Sequence, residues 1–223
     1  MADTAPAAAH VEPGGPIWSD NLGHAHVRKM SVSEMDNNCY LITCRSTGDQ
    51  LLVDAAAEPD RLADLITAGS GRLTMLVTTH QHWDHHRALA ALVESHSPRT
   101  AAGAPDASAL PVPPDVELTH GDRLSVGELM LDVIALRGHT PGSVALALDD
   151  GDGRVHLFTG DSLFPGGPGK TPDTEAFTSL MDDLEARVFD VYPDDTVVHP
   201  GHGDSTTLGA ERPHLTEWRD RGW

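Results

Sequence analysis

The chain is 223 residues long, enough for one large domain or two small ones, and its apolar share of 39% is that of an ordinary globular protein. No run approaches the ~20 apolar residues of a membrane span, and the N-terminus lacks the basic head and apolar stretch of a secretory signal, so a cytoplasmic protein is expected. A formal charge of −19, from 34 acidic against 15 basic side chains, disfavours nucleic acid and membrane surfaces as partners and leaves a small molecule.

Residues 1–18 are rich in Ala, Pro and Gly without periodicity, and predict a disordered leader ahead of a single domain over 19–223. Alternation predicts strands over 24–30, 38–43 and 50–54. Cys39 and Cys44, the only cysteines, lie five apart on an extended stretch and so on opposite faces; two buried, inert thiols are expected rather than a bond. Leu62, Leu65 and Ile66 at helical spacing, with Gly69 as a stop, predict a helix over 58–68. A strand over 73–79 leads into His80, and a helix over 84–95 follows with Leu89, Leu92 and Val93 on one face. Residues 101–114, loaded with Ala and Pro, predict a short helix or surface loop. Strands resume over 116–118, 123–126 and 128–136, with Gly127 as a hairpin turn, then over 143–148 and 154–159 across a turn of Asp and Gly. Phe177, Leu180, Met181, Leu184 and Val188 mark a helix over 174–188; a strand over 196–199 and a helix over 211–218 close the chain. Trp218 and Trp223 hint at a packing surface, internal or between subunits, which leaves a homo-oligomer open. The order suggests two similar halves, whose sheets would pack together with helices outside.

Four strand-like runs end on residues that bind metals. The first exits into His80, His82, Asp84 and His85, the others into Gly138-His139, Gly160-Asp161 and Pro200-Gly201-His202. Open α/β sheets keep their chemistry at the carboxyl ends of strands, so these exits are expected to converge. Residues two apart on an extended segment face the same way, so His80 and His82 can grip one ion, with His139 as a third ligand. Past the turn, Asp84 and His85 can point to a neighbouring position that His202 joins. Asp161, with two oxygens, is suited to bridge both ions. A structural zinc site would be closed and often cysteine-rich, and this ligand set is neither.

Thr79-His80-x-His82-x-Asp84-His85, Gly138-His139-Thr-Pro-Gly-Ser143, Thr159-Gly160-Asp161-Ser-Leu-Phe164 and Pro200-Gly-His202-Gly203 together resemble the metallo-β-lactamase superfamily. Asp54 and the stretch Asn38-Cys-Tyr-Leu-Ile42 also match its opening strands, so the resemblance covers about residues 24–204. It implies an α/β fold, a four-layer αββα sandwich, with a two-metal site at its edge. His80, His82 and His139 would hold one zinc, Asp84, His85 and His202 a second, and Asp161 would bridge, with Asp54 behind the ligands. The resemblance further implies a binuclear zinc-dependent hydrolase. A hydroxide shared by zinc ions ~3.5–4 Å apart would attack an acyl carbonyl, and Asp84 would orient it or pass on its proton.

The segments around His139 and Asp161 are most similar to glyoxalase II, which hydrolyses thioesters of small thiols. The chain ends 21 residues after His202, without the C-terminal helical region that helps to hold glutathione there, so glutathione itself is not expected and another thiol carrier, or an acyl compound without one, stays open. The alternatives are a persulfide dioxygenase-like oxidoreductase holding iron, and a lactonase or β-lactamase-like hydrolase. Lys170, in a glycine-rich loop after Asp161, is a candidate contact for a substrate carboxylate or an ordinary solvated lysine. Trp83 would wall the pocket or pack under the helix. Asn38, at a strand start near the expected mouth, is a third candidate substrate contact.

Overall fold

Apolar runs pair into two mixed sheets in the computed structural model, which describes residues 10–222. The first sheet holds β1 (Trp18–Asn21), β2 (Ala25–Val32), β3 (Asn37–Cys44), β4 (Gln50–Val53), β5 (Leu73–Thr78), β6 (Arg99–Gly103) and β7 (Val116–Leu118), in that order. Its pairings are antiparallel up to β4 and parallel from β4 to β7. The second sheet is built from β8 (Arg123–Val126), β9 (Leu129–Ala135), β10 (Val144–Asp149) and β11 (Val155–Gly160). Beyond β12 (Leu163–Phe164) and β13 (Gly167–Pro168), which form a small separate ribbon, it continues with β14 (Val197–Pro200), parallel to β11, and β15 (Thr206–Thr207).

Strand alternation sorts the side chains into layers. Tyr40, Ile42, Val53, Val77, Leu131, Leu146 and Phe158 meet between the sheets. The opposite face of the first sheet, with Leu41 and Leu52, takes Leu62 and Leu65 of α1 (Pro59–Ala68) and Leu92 of α2 (Leu89–His96). Leu157 and Val198 on the outer face of the second sheet take Phe177, Leu180 and Leu184 of α3 (Thr174–Leu184). The same core takes Leu208 of α4 (Leu208–Glu211) and Trp218 of α5 (Leu215–Arg221). Every residue of β3 is buried, as a strand covered on both faces requires. The architecture is thus the four-layer αββα sandwich.

Cys39 and Cys44 are free and buried on opposite faces of β3. Burial pushes the Cys39 thiol up to about 12. Cys44 is brought down to about 6 against its burial by hydrogen bonds from Ser46, Thr47 and Glu128.

Four expectations are corrected. Residues 1–9 of the expected leader, like Trp223, lie outside the described residues; from His10 onward the segment belongs to the domain. Val11 is buried, the Gly15 carbonyl accepts from Arg61, Ile17 packs on the outer core of the first sheet, and Trp18 opens β1. Residues 99–103 form β6, whose small side chains carry no strand signal; parallel pairing with β5 and β7 decides their conformation. The helix expected from residue 84 starts at Leu89, because the ligand segment Trp83–His85 turns as a 3-10 helix. The helix over 174–188 ends its α-helical part at Leu184 and widens into a π-turn over Glu185–Phe189. Trp218 is buried against Phe189, so its packing is internal. Among the described residues no helix is long and apolar enough to cross a membrane.

Candidate metal centre

The four ligand-bearing exits lie along one edge of the sandwich. His80 leaves the end of β5, His139 follows β9, Asp161 follows β11 and His202 follows β14. The register of β11 against β14 shifts between Phe158 and Gly160. Gly160 takes φ +49°, and a Cβ there would stand 2.6 Å from Thr79 Oγ1, so the backbone carrying Asp161 presses onto the segment carrying His80.

Three groupings place their donor atoms within 4.8 Å of one another: His80, His82 and His139; Asp84, His85 and His202; and, joining the two, His80, His85 and Asp161. His82 Nδ1 is 2.9 Å from His139 Nε2, and His85 Nε2 is 3.1 Å from His202 Nε2. Asp161 spans the triads: Oδ1 lies 3.4 Å from His85 Nε2, and Oδ2 lies 3.4 Å from His202 Nε2 and 3.6 Å from His139 Nε2.

The far side of four of the five rings is fixed. His139 Nδ1–H donates to the Lys170 carbonyl at 2.6 Å, and His202 Nδ1–H donates to the Met35 carbonyl at 2.7 Å. Asp54 follows β4 with φ +60°, uncommon for a residue with a side chain. Its Oδ1 accepts Thr79 N–H at 2.7 Å, and its Oδ2 accepts both the Thr79 hydroxyl and His85 Nδ1–H at 2.8 Å. Thr79 Oγ1 in turn accepts His80 Nδ1–H at 3.0 Å. Each of these bonds turns Nε2 toward the centre, the arrangement that orients metal-binding histidines.

The centre is built for positive charge. His80 Nε2 and Asp161 Oδ1 are buried without a hydrogen-bond partner, which is costly unless a ligand completes them. Burial, then the His85 imidazole, holds His80 well below its ordinary pKa, so it is a neutral donor. Burial would lower His85 too, but the Asp54 and Asp161 carboxylates raise it to about 10. His202 is raised to about 10 against the same burial by Asp161 and Asp84. Asp161 and Asp84 stay well below the usual carboxylate range despite burial, first through their bonds with His202. Protons on His85 and His202 thus stand where cations would. The donor set of nitrogen and carboxylate oxygen fits divalent zinc or iron.

All seven expected ligands are therefore brought together. The substrate contacts fare less evenly. Asn38 is 1% exposed and cannot reach a substrate; its Nδ2 donates to the Pro200 and Gly203 carbonyls, tying β3 to the His202 loop. Its neighbour Asn37 is the one that faces the centre, donating from Nδ2 to Asp84 Oδ2 at 3.0 Å. Trp83 does not pack under a helix: it is 59% exposed, with the Arg87 guanidinium 4.8 Å over its ring. Lys170 is exposed and lines a cleft of about 340 Å³ together with Gln81, His82, His139 and Thr171. A larger recess of about 530 Å³, against Cys44 and Arg45, is lined by none of the ligands.

A sequence model of the Metallo-beta-lactamase superfamily matches residues 32–202. Over 171 residues the chain is 37% identical to a hydroxyacylglutathione hydrolase of Ruegeria pomeroyi, covering 75% of this chain and 62% of that protein; the chain thus spans under two thirds of that relative's length. The crystal structure of ETHE1 from Myxococcus xanthus superposes with a TM-score of 0.75 at 31% identity, over 87% of this chain and 84% of that one. The protein TTHA1623, solved in a di-iron-bound form, superposes with a TM-score of 0.67 at 30% identity, over 82% of this chain and 96% of that one.

Proposed function

Because the chain belongs to the metallo-β-lactamase superfamily, we propose that it is a two-cation hydrolase that cleaves a small acyl substrate, a thioester of a low-molecular-weight thiol. One observation carries this reading: seven donors meet in two triads joined by Asp161, with His80 Nε2 and Asp161 Oδ1 buried and unpartnered. Cations bound there supply Lewis acidity toward a carbonyl oxygen and toward water.

The chain's own residues do the rest. Asp84 stays ionised because His202 and Asn37 hold its carboxylate, so it can accept a hydrogen bond from the attacking water and orient it. Asp161 keeps the two triads in register. The cleft beside His82 and His139 offers room for the thiol part, and Lys170 at its rim offers charge to a substrate carboxylate. Trp83, exposed and next to Asp84 in the chain, is available as a wall for a bound substrate. The thioester is favoured by the likeness to a hydroxyacylglutathione hydrolase; as the chain spans 62% of that protein, the thiol carrier is a separate question. The di-iron-bound neighbour supports iron as the alternative cation to zinc.

The test is metal-quantified protein assayed against a panel of acyl thioesters, with lactones, β-lactams and a persulfide as controls and an oxygen electrode in parallel. Two divalent cations per chain with release of free thiol and no oxygen uptake are expected. Oxygen consumption with the persulfide and one iron per chain would replace this reading with a dioxygenase.

A further inference from the structure

Two charged side chains outside the ligand set are buried completely, and each is spent on a different half of the metal centre. Asp106 sits on the 3-10 turn Ala104–Ala109 after β6 and is 0% exposed. Its Oδ2 accepts Gln81 N–H at 2.9 Å and the Thr140 hydroxyl at 2.5 Å, and its Oδ1 accepts Gly142 N–H at 2.7 Å. Gln81 lies between His80 and His82, and Thr140 follows His139. One carboxylate therefore joins the two loops that supply the three-histidine triad.

Lys29, on β2 between the sheets, is also 0% exposed. Its Nζ donates to the Gly203 carbonyl at 2.6 Å, directly after His202. Burial lowers the lysine to about 8, partly offset by Asp36 and Asp204, so the ammonium is held there at a cost. The same loop is tied by the Tyr40 hydroxyl to the Pro200 carbonyl at 2.8 Å and by Asn38 N–H to the Gly201 carbonyl at 2.7 Å. The hydrogen bonds of Asp106 go to the segments of His80–His82 and His139, and that of Lys29 goes to the segment of His202.

A buried charge without an opposite charge bonded to it is expensive, and an apolar residue of like size would suit either place better unless the bonds themselves matter. We propose that Asp106 and Lys29 are positioning residues that set the two cation half-sites independently, Asp106 the His80–His82–His139 half and Lys29 the Asp84–His85–His202 half. Neither touches the reacting atoms; each fixes the loop that aims a ligand. Losing such a support weakens metal affinity by roughly 10–100-fold.

This rests on the two-cation reading, and the test separates the two. Chelated full-length chain is titrated with Zn2+ by calorimetry in two backgrounds: His202→Ala, which keeps the first half, and His82→Ala, which keeps the second. Asp106→Asn should lower Zn2+ affinity roughly 10–100-fold in the His202→Ala background and leave the His82→Ala background unchanged; Lys29→Met should do the reverse. Thr140→Val and Tyr40→Phe keep both charges while cutting one bond to each loop, and should repeat the pattern to a smaller degree even if a charge variant fails to fold. Affinity lost equally in both backgrounds, or in neither, overturns the inference. An unsubstituted chain that binds a single Zn2+ overturns the two-cation reading itself.

Discussion

Asp54 gathers three donors, Thr79 N–H, the Thr79 hydroxyl and His85 Nδ1–H, in a place that water does not reach. Asp54→Ala leaves all three unpaired, and a loss of roughly 3–5 kcal/mol in urea unfolding of the ion-free protein is expected, as for breaking a buried charged pair. Asp161→Ala instead removes the carboxylate that lies between the two triads. It should lose cation binding and hydrolysis while circular dichroism stays close to that of the parent; full turnover in this variant would show that the bridge is misassigned. The raised histidines give a pH signature. Folded and ion-free, His85 and His202 titrate at about 10 against 6.5 when unfolded, so their stabilising effect is complete below about pH 6.5 and is lost as pH rises toward 10. The melting temperature of chelated protein should therefore fall across that window through this pair, whereas zinc-loaded protein, whose histidines have already released their protons, should lack that component of the fall. At this scale the ligands were readable in the sequence because each is a polar residue placed where an apolar run stops. Asn37 and Asn38 were not separable, because adjacent strand residues face opposite ways and the sequence does not say which faces the centre. Asp106 and Lys29 gave no local signal, since their partners are far along the chain.

The elements matter here chiefly through how closely their ends approach. A Cβ on Gly201 would lie 2.2 Å from Asp161 Oδ1 and 2.7 Å from His85 Cε1, so the turn after β14 closes over the ligands only as glycine. Gly201→Ala should displace Asp161 or His202 and cut metal content, measured by elemental analysis, with helix content by far-ultraviolet circular dichroism unchanged. Helices α1 and α3 and most strands could be read from apolar spacing, because each buries one face against a sheet. Strand β6 could not, since Ala101, Ala102 and Gly103 have no strand preference and are extended only because β5 and β7 flank them. The 3-10 turn at Trp83–His85 was hidden for a related reason: its geometry serves the ligands and overrides the helical pattern that begins just beyond.

For the molecule as a whole, the sandwich was legible from the repeated order of strands and helices together with the motifs, while its N-terminal boundary was not. The segment from His10 to Trp18 lacks periodicity because it packs through single residues, Val11 and Ile17, and through the Arg61 bond to Gly15. A chain that starts at residue 19 should therefore melt at a lower temperature than one that starts at His10, by scanning calorimetry; equal melting would mean that this segment contributes nothing to the domain.

Both triads draw ligands from each sheet: His80 and His82 from one with His139 from the other, and Asp84 and His85 from one with His202 from the other. An ion in either place would act as a rivet through the two slabs, opposing shear between them, and would link heat resistance to chelator resistance. A cation that binds only the folded chain would stabilise it by mass action, so removing it should lower the melting temperature as well as the activity proposed above.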